Sequence, residues 1–229
     1  MKICILGDSV SRGVLFNAED SRYVCGKNGF AERLAADGNV VDNMSVFGCT
    51  VTKGMQLAQR HQQRLEGADV VLLEFGGNDC DYHWDEIAAD PDANHVPNTV
   101  MDCYLESYTK LIYMVQACGA EPLVLNLPPI GAQRYFDRFS CKMDQQGKDN
   151  IIRWLGGDVE YIHKWHASYN DQLCALAGSL GIRAADIRRP FYQSGDYNDY
   201  LCLDGIHPNE AGQELIYKKL SDTYLKTIK

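Results

Sequence analysis

Residues suited to nucleophilic chemistry lie near both ends of the chain. Ser9 directly follows an apolar run in CILGDSVSRG (4–13), and Asp204 and His207 stand three residues apart in DGIHPNEAG (204–212). A serine hydroxyl is an effective nucleophile only when a base takes its proton during attack, and histidine suits that task near neutral pH. In a turn, Asp204 can accept the Nδ1–H of His207, which leaves Nε2 free to take the proton. Gly-Asp-Ser alone favours a simpler role, in which Ser9 caps a helix starting just after it.

Two further segments offer hydrogen-bond donors to a negatively charged oxygen. FGGND (75–79) follows the most hydrophobic run, and the side-chain amide of Asn78 is a neutral donor suited to an oxyanion. VFGCTV (46–51) contains Gly48, which can present an unobstructed backbone N–H. Asp8 is the rival to Asp204 as the acid beside the histidine, but it immediately precedes Ser9, so we expect it to tie the turn together.

Five apolar runs predict the strands that position these residues: KICIL (2–6), VVDNMSV (40–46), VVLLEF (70–75), PLVLNL (122–127) and GIRAADI (181–187). The second and fifth are more mixed, which predicts positions toward the sheet edges. Helical patterns alternate with them at 29–37, 54–67, 99–119, 160–181 and 209–228. This alternation predicts one α/β domain over residues 1–229, with helices on both faces of a parallel sheet.

Two long connections, residues 80–98 and 128–159, leave the carboxyl ends of strands, where open α/β sheets bind their ligands. We expect them to form pocket walls, with a surface decoration or a contact to a second subunit as the alternatives. Both are rich in aromatic residues: Tyr82, Trp84, Tyr135, Phe136, Phe139 and Trp154. The candidate substrate-binding residues are Asp8, Asp79, Tyr82, His83 and Trp84.

Composition excludes several classes of protein. The formal net charge of −9 disfavours nucleic acid and anionic membrane surfaces as partners, and no apolar run reaches the length of a membrane-spanning helix. Nine cysteines without a Cys-x-x-Cys pair, and no signal-peptide pattern, predict reduced thiols in a cytoplasmic protein. His163 and His166 lie one helical turn apart without a third ligand, so we expect neither a metal nor a cofactor.

These blocks, in this order, resemble the SGNH hydrolases of the GDSL esterase/lipase superfamily. The four name-giving positions are filled by Ser9, Gly48, Asn78 and His207, and Val10 stands where the GDSL signature has leucine. The resemblance implies a flavodoxin-like three-layer α/β/α fold with a five-stranded parallel sheet. It also implies a Ser-His-Asp triad with Asp204 as the acid. The implied oxyanion hole consists of the backbone N–H groups of Ser9 and Gly48 and the Asn78 side chain.

The function expected from these residues is hydrolysis of a small soluble ester through an acyl-enzyme, with deacetylation of a carbohydrate as the favoured reaction. A lysophospholipase or thioesterase acting on longer acyl chains is one alternative. A non-catalytic, flavodoxin-like binding module is the other, although such a module needs no histidine in the last turn. No Gly-x-Ser-x-Gly elbow, Walker-type loop or Gly-x-Gly-x-x-Gly motif supports a different enzyme class.

Overall fold

The computed structural model describes residues 1–225, and a five-stranded parallel sheet runs through it in the order β4-β1-β5-β6-β7. Its strands are β1 (Lys2–Gly7), β4 (Val40–Asn43), β5 (Val70–Glu74), β6 (Glu121–Leu125) and β7 (Ala184–Ala185). All five residues of β5 are buried, because helices cover both faces of the sheet. The mixed strands β4 and β7 form the two edges, as their sequences predict.

Helices flank the sheet on both sides, which confirms the predicted three-layer architecture. The helices are α1 (Phe30–Ala36), α2 (Val51–Arg60), α3 (Gln62–Leu65), α4 (Trp84–Ala89), α5 (Met101–Ala117), α6 (Ala132–Phe139), α7 (Gln145–Trp154), α8 (Tyr161–Ser179), α9 (Arg189–Gln193) and α10 (Glu210–Lys219), with a 3-10 turn at Tyr197–Tyr200 and a π-turn at Leu220–Tyr224. The predicted helix 54–67 begins three residues earlier and breaks at His61. The last predicted helix ends its regular part at Lys219, and positions 226–228 of that prediction lie outside the described residues.

Each face of the sheet has its own hydrophobic core. On one face, α2, α5 and α8 pack on the strands through side chains such as Val51, Tyr108 and Leu173. On the other face, α1, α9 and α10 contribute side chains such as Phe30 and Phe191. The two cores fix the sheet, and therefore fix the loops at the carboxyl ends of its strands.

The two long connections are partly helical and form a third core. Side chains from α4, α6, α7 and the start of α8 pack together, among them Trp84, Phe136, Ile151 and Ile162. This small helical layer lies beside the carboxyl ends of β5 and β6, the strands from which the two connections leave. Both segments also contribute to a pocket wall, as predicted, through Tyr82 and Trp84 of the first and Tyr135 and Trp154 of the second.

No helix begins directly after Ser9. Residues 8–13 form turns, closed by a hydrogen bond from Arg12 N to the Asp8 carbonyl, and an antiparallel hairpin of β2 (Val14–Asn17) and β3 (Arg22–Cys25) follows. The helix-cap role considered for Ser9 is therefore wrong, because the β-branched and aromatic residues of VLFN continue the chain as a strand.

Within residues 1–225, no helix combines the length and apolar character needed to cross a membrane. The same residues contain no cluster of three His, Cys, Asp or Glu side chains that could hold a metal ion. All nine cysteines are free thiols.

Candidate active site

The structure brings Ser9, His207 and Asp204 together in one hydrogen-bonded chain. Ser9 lies in the turn after β1, and the other two lie in the turn before α10. The Oγ of Ser9 is 2.9 Å from Nε2 of His207, and Nδ1 of His207 is 2.6 Å from Oδ2 of Asp204. All three are buried, with Asp204 fully so. The carboxylate at Nδ1 places the imidazole proton there, and Nε2 is left to accept the Ser9 hydroxyl proton.

The turn around Asp204 holds its carboxylate in this position. Oδ1 accepts the backbone N–H groups of Ile206 and His207, both at 3.2 Å. Gly205, which follows Asp204, has a φ of +78°, a left-handed conformation that favours glycine. A Cβ at this position would also collide with the carbonyl oxygen of Gly131. The Asp-Gly-Ile-His sequence thus forms its own carboxylate cradle.

The three candidate oxyanion donors lie on loops after the adjacent strands β4, β1 and β5. Gly48 has a φ of +69°, and no hydrogen bond occupies the backbone N–H of Gly48 or of Ser9 among the described residues. Nδ2 of Asn78 donates to Oδ2 of Asp8 at 2.8 Å. An amide nitrogen carries two hydrogens, so Asn78 retains one for another acceptor.

Asp8 and Glu74 form a buried pair of carboxyl groups behind Ser9. Asp8 also accepts the backbone N–H of Val10 at 2.8 Å, and Glu74 accepts the hydroxyl of Ser11 at 2.9 Å. Burial raises the pKa of Asp8 well above its ordinary value, and the neighbouring Glu74 raises it further. Burial also raises the pKa of Glu74. Two adjacent carboxylates removed from water favour a protonated state of the pair.

A cavity of about 80 Å³ opens beside Ser9 and His207. Aromatic side chains form much of its wall: Tyr82, Trp84, Tyr135, Trp154, Tyr161 and Trp165. Of the candidate substrate-binding residues, Asp8, Tyr82 and Trp84 border this cavity. Phe136 and Phe139 pack behind it in the third core.

The structure does not bring Asp79 or His83 to the cavity wall. Asp79 is fully buried, and both of its carboxylate oxygens accept the backbone N–H of Val51 at 3.1 Å, so it caps α2. Burial raises the pKa of Asp79 to about 7. His83 is exposed, and it borders a separate outer groove with Tyr82 and Trp84.

Sequence reasoning missed several residues around the site. His166 and Trp165 on α8 border the cavity, although the spacing of His163 and His166 had drawn attention only as a metal pair. Tyr23 of the hairpin packs 5.3 Å from the His207 ring, and Phe47 stacks on the same ring at 6.2 Å. No local sequence signal marks Tyr23, since its contact depends on the fold of the hairpin.

Beyond Tyr23 and Phe47, the surface is an open groove of about 910 Å³. It is lined by the hairpin, by the loop after β4 and by Leu57 of α2. Tyr23 and Phe47 line this groove but not the cavity, whereas Ser9 and His207 line the cavity but not the groove.

The fold and these sequence blocks define a class of α/β hydrolytic enzyme. The chain belongs to the GDSL-like lipase/acylhydrolase family, whose model matches residues 5–215. It is accordingly an ester hydrolase of the SGNH type. Comparison with curated protein sequences found no match.

Solved structures of the same fold cover nearly the whole chain. One is a member of the lipolytic G-D-S-L family from Veillonella parvula, at 17% identity and a TM-score of 0.62, covering 98% of each chain. Another is the lipase/acylhydrolase from Enterococcus faecalis, at 18% identity and a TM-score of 0.59, covering 100% of this chain and 97% of that one. A third is a mutant of Axe2, an acetyl-xylooligosaccharide esterase from Geobacillus Stearmophilus, at 16% identity and a TM-score of 0.63, covering 96% and 92%.

Proposed function

We propose that the protein hydrolyses short-chain esters through an acyl-enzyme on Ser9. The observation that carries this proposal is the buried hydrogen-bonded chain from the Ser9 hydroxyl through His207 to Asp204. In it, His207 is the base and Asp204 stabilises the imidazolium that forms.

The reaction runs in two halves. Ser9 Oγ attacks the ester carbonyl while His207 Nε2 takes its proton, and the carbonyl oxygen becomes negatively charged. The N–H groups of Ser9 and Gly48 and the free hydrogen of Asn78 stabilise that oxygen. His207 then protonates the leaving alcohol. Water, deprotonated by the same histidine, attacks the acyl-enzyme, and Ser9 recovers its proton as the carboxylic acid leaves.

The size of the cavity favours short acyl groups over the long chains of a lysophospholipase or long-chain thioesterase. The cavity of about 80 Å³ is small beside the open groove of about 910 Å³ that the hairpin lines. The aromatic wall lowers the local dielectric constant, which strengthens hydrogen bonds to the reacting ester. Among short esters, O-acetylated carbohydrate is our preferred substrate class, and similarity of fold to an acetyl-xylooligosaccharide esterase supports it.

The first test is hydrolysis of 4-nitrophenyl esters by the wild type and by Ser9→Ala and His207→Ala. Because nucleophile and base act as one unit, each variant should lose about 10⁴-fold or more in kcat. Activity should peak at acyl chains of two to four carbons.

Either variant hydrolysing at the wild-type rate would remove that residue from the mechanism. A preference of the wild type for octanoate or longer esters would favour the long-chain alternative. An absence of any ester hydrolysis would favour the non-catalytic binding module.

A further inference from the structure

Arg188 lies just behind the cavity wall and is buried, with 8% of its surface exposed. Its Nη1 donates to the carbonyl oxygens of Leu127 and Pro128, at 3.2 and 3.0 Å. The same guanidinium contacts two histidines of α8, through His166 Nδ1 at 3.5 Å and His163 Nε2 at 3.4 Å. A guanidinium only donates hydrogen bonds, so both of these ring nitrogens must accept.

These contacts fix the tautomers of the two histidines. The Nδ1 of His163 lies 2.8 Å from the Ile130 carbonyl, which only accepts, so His163 carries its proton on Nδ1. The Nδ1 of His166 faces the positively charged guanidinium, which offers no acceptor for an N–H, so the proton of His166 is on Nε2. Burial and the charge of Arg188 lower the pKa of His166 well below its ordinary value, so the ring stays neutral.

The Nε2–H of His166 has no partner in the described part of the chain, although the residue is only 4% exposed. Only two side-chain polar atoms there are both fully enclosed and unpartnered, Ser45 Oγ and Arg138 Nε. His166 Nε2 is therefore not sealed in, and the ring borders the cavity that also contains Ser9. An N–H donor that is open to the cavity and has no protein partner is free to bind an acceptor atom of a ligand there.

We propose that His166 donates a hydrogen bond from Nε2 to an uncharged acceptor oxygen, an ether, hydroxyl or keto oxygen, on a short acyl chain bound in this cavity. The proposal rests on the proposed function, the hydrolysis of short-chain esters on Ser9. It ranks an oxygen-bearing short acyl group above the acetyl group of the substrate class named there, because an acetyl group would react but would leave the His166 donor unsatisfied.

Two observations assign the acyl part to this cavity and specify an uncharged oxygen. Ser9 and His166 line the same cavity, and the acyl group is the part of the ester that stays on Ser9 after the alcohol has left. Among the described residues, no lysine or arginine lines this cavity, so an anionic acyl chain would find no cation there to offset the loss of its hydration.

The test compares two esters of equal length, 4-nitrophenyl methoxyacetate and 4-nitrophenyl butyrate, which differ by an oxygen in place of a methylene. For each enzyme we divide kcat/KM for the methoxyacetate by kcat/KM for the butyrate. The intrinsic reactivities of the two esters cancel when this ratio is compared between enzymes. The ratio should fall about fivefold or more in His166→Leu, the size of one neutral hydrogen bond. His166→Gln, which keeps an N–H donor, should restore part of it.

His163→Gln is the matched control, because His163 contacts the same arginine but does not border the cavity. Its ratio should equal that of the wild type. An unchanged ratio in His166→Leu would overturn the proposal, as would an equal fall in His163→Gln. If the leucine variant does not fold, His166→Phe provides the same comparison with the ring shape kept.

The proposed function can fail separately. If the wild type hydrolyses neither ester, or if Ser9→Ala hydrolyses them equally fast, the acyl-enzyme on Ser9 is contradicted. Hydrolysis that depends on Ser9, with a ratio indifferent to residue 166, would overturn only the assignment of His166.

Discussion

Asn78 has two hydrogens on its amide nitrogen, and the structure commits one of them to Asp8. Asp8 also accepts the N–H of Val10, so it ties the turn that carries Ser9 to the loop that carries Asn78. We infer that Asp8 acts as a positioning residue, which orients the second hydrogen of Asn78 toward the developing oxyanion. An aligned donor of this kind contributes mainly in the transition state, where charge appears on the carbonyl oxygen.

Asn78→Ala should therefore lose about 10²–10³-fold in kcat with a smaller change in KM. Steady-state kinetics on 4-nitrophenyl acetate measures this, and circular dichroism checks the fold. Asn98→Ala is the matched control, since exposed Asn98 donates to the Asn78 carbonyl and not to the proposed oxyanion. A wild-type kcat in Asn78→Ala would exclude that side chain from the oxyanion hole.

At the residue scale, the sequence predicts those site residues that belong to short local motifs. Ser9, Asn78, Asp204 and His207 each follow a strand or precede a helix within a short, characteristic block. The bond between Asp8 and Asn78 joins residues 70 positions apart, and the contact between Arg188 and His166 joins residues 22 apart. Such pairings depend on how elements pack, and no periodicity or spacing in one sequence reveals them.

At the scale of elements, the loop after β5 does more than present Asn78. Its next residue, Asp79, caps the N-terminus of α2, where Thr50 itself makes no side-chain cap. The carboxylate therefore couples the loop after β5 to the helix that follows Gly48. Burial disfavours the charged form of Asp79 and so raises its pKa to about 7.

This predicts a pH dependence of stability with a definite sign. The pKa of Asp79 rises from 3.8 in the unfolded chain to about 7 in the folded protein, so the folded state holds a proton that the unfolded state has lost. The stabilisation that comes from this proton is complete below about pH 4 and is lost as the pH rises toward 7. Over that range the free energy of unfolding falls by up to about 1.4 kcal/mol per pH unit. Asp79→Asn should remove this component, as measured by urea unfolding at pH 4.5 and pH 7.5.

The comparison is the change in unfolding free energy between the two pH values, wild type against variant. Asp144→Asn is the matched control, since Asp144 caps α7 at the exposed surface. It should keep the wild-type pH dependence. An identical pH dependence in Asp79→Asn would show that the proton is not held at Asp79.

Elements with strong periodicity are predictable from the sequence, and the others are not. β1, β5 and β6 are continuous apolar runs, and α5 and α8 are long amphipathic helices, so burial alone selects them. The hairpin of β2 and β3 has no such pattern. All four residues of β3 are exposed. The ring of Tyr23 packs against its cross-strand partner Phe16 and against Phe47 and the Arg138 guanidinium, which lie far from it in the sequence.

At the scale of the whole molecule, the site depends on the meeting of the two ends of the chain. Ser9 and His207 are 198 positions apart, and β1 and α10 must both be in place before they touch. Gln213 of α10 reinforces the junction: its side chain donates to the Val10 carbonyl and accepts the Phe30 N–H, both at 3.0 Å. We propose that this junction, by bringing His207 to Ser9, makes the Ser9 hydroxyl a nucleophile.

The most direct measurement is covalent labelling by a fluorophosphonate, located by mass spectrometry and timed in the wild type, Ser9→Ala, His207→Ala and Asp204→Asn. We predict one phosphonyl group on Ser9 of the wild type, no label in Ser9→Ala, and labelling slowed by about 10³-fold or more without the histidine or the aspartate. Label on another residue, or labelling of Ser9 at an unchanged rate without His207, would contradict the account.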